Sequence, residues 1–218
     1  MKNLKSSDIK AIIFDRDGVI IDAETLALQS IFFGLKKVGI RASKNDVPLM
    51  TGMSIDALKE QLLSKWDFSF EEFRLIQRKY FYEHIDNVPY FLDTIKFIKK
   101  LHRQNKTLAL TTSAGIEGTR LILKKIGISD MFKVVVAKED CTKFKPDPEP
   151  YIITAKKLGV APEECVVIED SEIGVKAAKN ANMYCVAMPN KHTKNQDFSL
   201  ADKIITSIKD LEGVFSAQ

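Results

Sequence analysis

The stretch Lys10-Ala11-Ile12-Ile13-Phe14-Asp15-Arg16-Asp17-Gly18-Val19-Ile20-Ile21-Asp22 passes from an apolar run into charge within a single residue. Apolar residues without alternation suit a strand buried on both faces of a parallel sheet. Such sheets bind ligands past the carboxyl ends of their strands. Asp15 and Asp17 therefore fall where chemistry is placed. Two acids two residues apart, turned by Gly18, suit a pair in which one attacks phosphorus and the other moves protons. A calcium-binding EF-hand loop is excluded, because the glycine comes too early and the closing glutamate is missing.

Outward from this stretch, further strand candidates are Thr107–Thr111, Lys133–Ala137, Cys165–Ile168, Tyr184–Ala187 and Lys203–Thr206, with the first at Lys10–Phe14. Apolar positions spaced three to four apart predict helices over Thr94–Gln104, Glu117–Ile126, Glu149–Leu158 and Gly174–Asn180. Alternating strands and helices predict an α/β fold: a doubly wound, Rossmann-like parallel sheet. One region breaks the alternation. Between Ala23 and Val88 only helical patterns occur, at Leu26–Val38, Ile55–Ser64 and Phe70–Ile85, with Ser69 as an N-cap and Pro89 marking the return. The expected domains are a core of residues 1–22 and 89–218 and an inserted all-helical cap of residues 23–88.

Each later strand end carries a chemical group. Thr112 and Ser113 follow the second core strand, where a hydroxyl and backbone N–H groups can hold phosphate oxygens. Lys145 stands in a loop stiffened by Pro146 and Pro148, suited to offset anionic charge. Glu169 and Asp170 end the fourth strand. Two buried acids are costly unless paired or bound to metal, and hard oxygen donors suit Mg²⁺. Ser171 is a natural N-cap for the helix that follows.

Taken in order, Asp15-Arg16-Asp17-Gly18-Val19, Thr112-Ser113, Lys145-Pro146-Asp147-Pro148 and Glu169-Asp170-Ser171 with Gly174 resemble the motifs of the haloacid dehalogenase superfamily. The resemblance is to its small-helical-cap subgroup, which includes β-phosphoglucomutase and phosphoglycolate phosphatase. It runs from about Lys10 to the last strand. It implies Asp15 as nucleophile and Mg²⁺ ligand, and Asp17 as general acid and base that also offers its backbone carbonyl to the metal. It implies Thr112, Ser113 and Lys145 as phosphate-binding residues, Asp170 as metal ligand, and Glu169 as ligand or its support. It also implies a lid. Thr51-Gly52-Met53-Ser54 resembles the family's specificity loop. Family members with mutase activity carry His where this chain has Ala27, which favours net hydrolysis over sugar-phosphate isomerisation. Asp17 excludes the dehalogenase and phosphonate-cleaving relatives. Asn182 stands where relatives have glycine, and it tolerates the same left-handed helix stop. A receiver-like phospho-aspartate signalling module remains the alternative of another class.

The 218 residues are 45% hydrophobic and 28% charged, with a formal net charge of +4. Basic residues are dispersed, so no nucleic-acid partner is expected. The apolar runs are too short for a membrane span. Cys141, Cys165 and Cys185 form no CxxC pair and suit reduced thiols in a cytoplasmic protein. A monomer acting on a small phosphorylated molecule is expected. Phe68, Phe70, Phe73, Tyr80, Phe81 and Tyr82 suit the cap's own core better than a substrate pocket, and Lys191 and His192 suit a solvated loop.

Overall fold

The computed structural model describes residues 8–47 and 55–215. In chain order the elements are β1 (Ala11–Phe14), α1 (Ala23–Lys37), α2 (Ile55–Leu63), α3 (Phe70–His84), α4 (Leu92–Arg103), β2 (Leu108–Thr111), α5 (Ile116–Lys125), β3 (Val134–Val136), α6 (Glu149–Leu158), β4 (Cys165–Glu169), α7 (Glu172–Asn180), β5 (Tyr184–Ala187) and β6 (Lys203–Ile204). They divide into two compact units, one up to Ile21 and from Tyr90 onward, the other Asp22–Pro89. No described helix is long and apolar enough to cross a membrane.

The first unit is a parallel sheet in the order β3-β2-β1-β4-β5-β6. β1 is paired on both sides, and all four of its residues are buried, as are those of β2 and β4. Removing side chains such as Phe14 and Ile13 from water contributes roughly 2 kcal/mol each. The edges are weaker. The strand expected over Lys203–Thr206 shortens to the exposed pair Lys203–Ile204, and that over Lys133–Ala137 to Val134–Val136. An edge strand has a partner on one side only, so pairing stops where the register ends. One face of the sheet packs Ile13, Ala109, Val167 and Cys185 against Tyr151, Ala155, Val175 and Ala178 of α6 and α7. Cys165 belongs to the same cluster, and burial pushes its thiol up to about 12.

Helix ends follow local chemistry. Ser171 accepts the N–H of Gly174 at 3.2 Å, so α7 starts at Glu172 and not at Gly174. Asn182, at φ 60°, supplies the left-handed residue after α7. Asp22 and Ser69 cap α1 and α3 through Thr25 N–H and Glu72 N–H.

The second unit is helical in its described residues. Ile31, Leu35, Val47, Leu58, Leu62, Phe70 and Phe73 form its core, with Phe68 and Trp66 packed against it. Tyr80 stacks between Phe33 and His84, and Phe81 lies edge-on to Tyr82. Thr51–Ser54 lies outside the described residues.

Candidate active site

β1 and β4 are neighbours at the point where the strand order reverses, and an open parallel sheet offers a crevice there. Asp15 follows β1 directly, its N–H donating to the Ile168 carbonyl at 3.0 Å. Glu169 is the last residue of β4. Lys145 arrives from the loop before α6, with a cis peptide to Pro146. Its ammonium donates to Asp15 Oδ1 and to Glu169 Oε1, each at 2.6 Å. The lysine side chain is only 4% exposed, so it is no solvated loop cation.

Glu169 is fully used. Its Oε1 also accepts the Tyr151 hydroxyl at 2.7 Å, and its Oε2 accepts the N–H groups of Asp170 and Ser171 and the Ser171 hydroxyl. Tyr151 presents its ring to Lys145 as well, 4.9 Å from the ammonium. A Cβ on Gly174 would overlap the Glu169 carboxylate. Gly174→Ala is therefore expected to cost roughly 3 kcal/mol, from overpacking plus disturbance of a buried ion pair. A urea melt matching the native protein would refute that reading of the glycine.

Asp170 accepts from Asn190 Nδ2 at 2.7 Å, and the same amide reaches the Gly18 carbonyl at 3.3 Å. Gly18 has φ 83°, and a Cβ there would overlap the Asp170 carboxylate. The turn thus needs glycine both for its conformation and for this close approach. Asn190 lies past β5 beside Lys191 and His192, and its Oδ1 accepts the His192 N–H at 2.8 Å.

One oxygen each from Asp15, Glu169 and Asp170 lies within 4.8 Å of the others, all three residues being buried. Burial pushes the Asp15 carboxyl up to about 8, with Lys145 opposing and Glu169 and Asp17 adding to the rise. Burial, then the charges of Glu169 and Asp15, hold Asp170 well above the usual carboxylate range. Burial alone would lower the Lys145 ammonium, but the charges of Asp15 and Glu169 outweigh it and raise it. For Glu169 the charge of Lys145 and its hydrogen bonds outweigh burial, and the carboxyl is lowered. Three acids thus share one ammonium. Their clustered hard oxygens, once deprotonated, fit a divalent cation such as Mg²⁺. Such a cation must displace the proton that burial favours. Mg²⁺ affinity is therefore expected to climb as pH rises, with protons released on binding, because burial raises both Asp15 and Asp170. Calorimetry in two buffers of different ionisation enthalpy checks this, and pH-independent affinity would overturn it.

Asp17 is placed differently. Its carboxylate is outside that group and is held by Arg16, with Nη2 at 2.9 Å from both oxygens and Nε at 3.1 Å from Oδ1. Thr112 is buried at the end of β2. Its N–H is taken by the Val136 carbonyl, and its hydroxyl oxygen accepts the Ala114 N–H at 3.1 Å. The Thr112 hydroxyl, not its amide, is the group left to donate. Ser113 is exposed. Sequence reasoning passed over Tyr151, which reads as one more apolar position of a helical stripe, and Asn190, which carries no motif.

Comparison with known proteins places the chain in a family. Residues 12–188 match the haloacid dehalogenase-like hydrolase family. YhcW of Bacillus subtilis, assigned as a phosphatase, is 32% identical over 209 residues, covering 94% of each chain. The phosphorylated carbohydrates phosphatase of Thermotoga maritima is 31% identical over 80% of this chain and 82% of its own. Among solved structures, CbbY from Rhodobacter sphaeroides in complex with phosphate superposes with a TM-score of 0.81 at 22% identity, over 93% of this chain and 96% of that one. The chain belongs to the haloacid dehalogenase-like hydrolases.

Proposed function

We propose that this hydrolase is a Mg²⁺-dependent phosphatase of small phosphomonoesters that works through an aspartyl phosphate on Asp15. The observation that carries the reading is the Lys145 ammonium, shared between Asp15 and Glu169 at the switch point of the sheet, with a second acid two residues after Asp15. An Asp15 oxygen attacks phosphorus and forms the new P–O bond as the ester P–O bond breaks. Asp17 gives its proton to the departing oxygen. Water then loses a proton to Asp17 and attacks phosphorus. The bond to Asp15 breaks, releasing phosphate and restoring the carboxylate. Lys145 offsets the charge of the transferring group from a water-poor site, and the Thr112 hydroxyl, with Ser113 beside it, donates to phosphoryl oxygens.

Asp15, Asp170 and the backbone carbonyl of Asp17 would hold the Mg²⁺. When bound it neutralises phosphoryl charge as nucleophile and phosphate approach. Glu169, with both oxygens already accepting protein donors, acts on Lys145 rather than as a ligand.

Family membership speaks against the receiver-like reading, and Ala27 against the mutase. Phosphorylated sugars and sugar alcohols head the candidate substrates. They are favoured by the names of two relatives, the carbohydrates phosphatase above and hexitol phosphatase B of Escherichia coli. The test is phosphate release from a panel of small phosphomonoesters, with Mg²⁺ and with chelator, together with mapping of the phosphorylated residue. Metal-dependent release and phosphate on the peptide containing Asp15 are expected. Release that ignores the chelator, or label on another residue, would sink the mechanism.

A further inference from the structure

Arg16 is a group that this chemistry leaves without a task. It is 4% exposed, and its charge lies within the protein. Taking a guanidinium out of water is costly, and an apolar side chain of the same size would pack there more cheaply. Its donors go to two partners. Nε and Nη2 hold both oxygens of Asp17, and Nη1 donates to the Thr119 hydroxyl at 2.8 Å. Thr119 is fully buried in the first turn of α5, and its hydroxyl passes on to the Gly115 carbonyl at 2.8 Å. The fork is therefore bolted to a helix at one end and to the acid at the other. Asp17 itself is 39% exposed. An aspartate so exposed would ordinarily spread over several χ1 wells. Bonds from Nε and Nη2 to one carboxylate select one of them, which a lysine point charge does not do.

We propose that Arg16 is a positioning residue for phosphoryl transfer, fixing the Asp17 carboxylate in one orientation and anchored in turn by Thr119. This rests on the phosphatase reading. Arg16 acts only through Asp17, so its loss affects the steps in which Asp17 moves a proton. Loss of a merely structural strut would slow every substrate alike.

The experiment compares two leaving groups under single-turnover conditions with enzyme in excess. An alkyl phosphomonoester needs a proton on its departing oxygen, whereas p-nitrophenyl phosphate releases a stable phenolate without one. Arg16→Met is expected to lose about tenfold in single-turnover rate on the alkyl ester, with the enzyme concentration for half-maximal rate within about twofold and nitrophenolate release unchanged. Arg16→Lys, which keeps the charge and loses the fork, stays impaired on the alkyl ester. Thr119→Val moves the same way by a smaller factor, and it carries the test if Arg16→Met does not fold. Equal losses on both leaving groups, or none on either, would overturn the proposal. Native protein that turns over neither compound would sink the phosphatase reading and this one with it.

Discussion

Asp15→Asn is expected to abolish phosphate release, by at least about 10⁴-fold, because an amide oxygen cannot form the acyl phosphate. The same change is not expected to harm the fold. Asparagine fills the same space, and Lys145 keeps its bond to Glu169. Burial raises Asp15 from 3.8 to about 8, so between those values the folded protein holds a proton that the unfolded chain releases. Stability depends on pH with the sign of protons bound unfolded minus folded, so this group makes the metal-free protein less stable as pH rises through that window. The asparagine variant has no such proton to lose. In chelator above about pH 8 its melting temperature should equal or exceed that of the native protein, while its activity is gone. A variant that melts well below native there would show that the Asp15 carboxylate supports the fold. Residual metal-dependent turnover near the native rate would remove Asp15 from the mechanism.

Most of the layout was legible in the sequence, for a definite reason. A parallel sheet sends every strand end to one side, and that is where Asp15, Lys145 and Glu169-Asp170 meet. The side chains that hold these groups in place were not legible. Tyr151 reaches Glu169 from the interior of α6, where an aromatic at helical spacing looks like packing. Asn190 touches Asp170 across 20 residues with no motif to announce it. Arg16 stood in the motif with no role assigned to it, because no spacing rule says that a buried guanidinium will choose its own neighbour. Gly174 stood in the motif without a reason until the Glu169 carboxylate was seen to occupy the space of its missing Cβ. Strand ends at the sheet edges ran too long because propensity does not know which strands lack a second partner.

Lys145→Met separates the two duties of the lysine. Methionine keeps the length of the side chain and its contact with the Tyr151 ring, but removes the only ammonium bonded to Asp15 and Glu169 among the described residues. Breaking a buried pair by deleting one partner costs roughly 3–5 kcal/mol, which for a chain of this length lowers the melting temperature by about 10 °C. That loss is expected in chelator. With Mg²⁺ present, the bound cation supplies positive charge to the same acids and stabilises the folded state in proportion to its occupancy. Part of the lost melting temperature should therefore return, and Mg²⁺ should raise it by more in the variant than in the native protein. Activity should not return. Mg²⁺ bound at Asp15 and Asp170 does not replace a donor aimed from the α6 side at the transferring group, so phosphate release should stay about 10³-fold down. If Mg²⁺ restored turnover along with stability, Lys145 would be only a counter-ion of the cluster. If chelated Lys145→Met melted like the native protein, the three acids would not be sharing its charge, and the electrostatic basis for the metal site would fall with it.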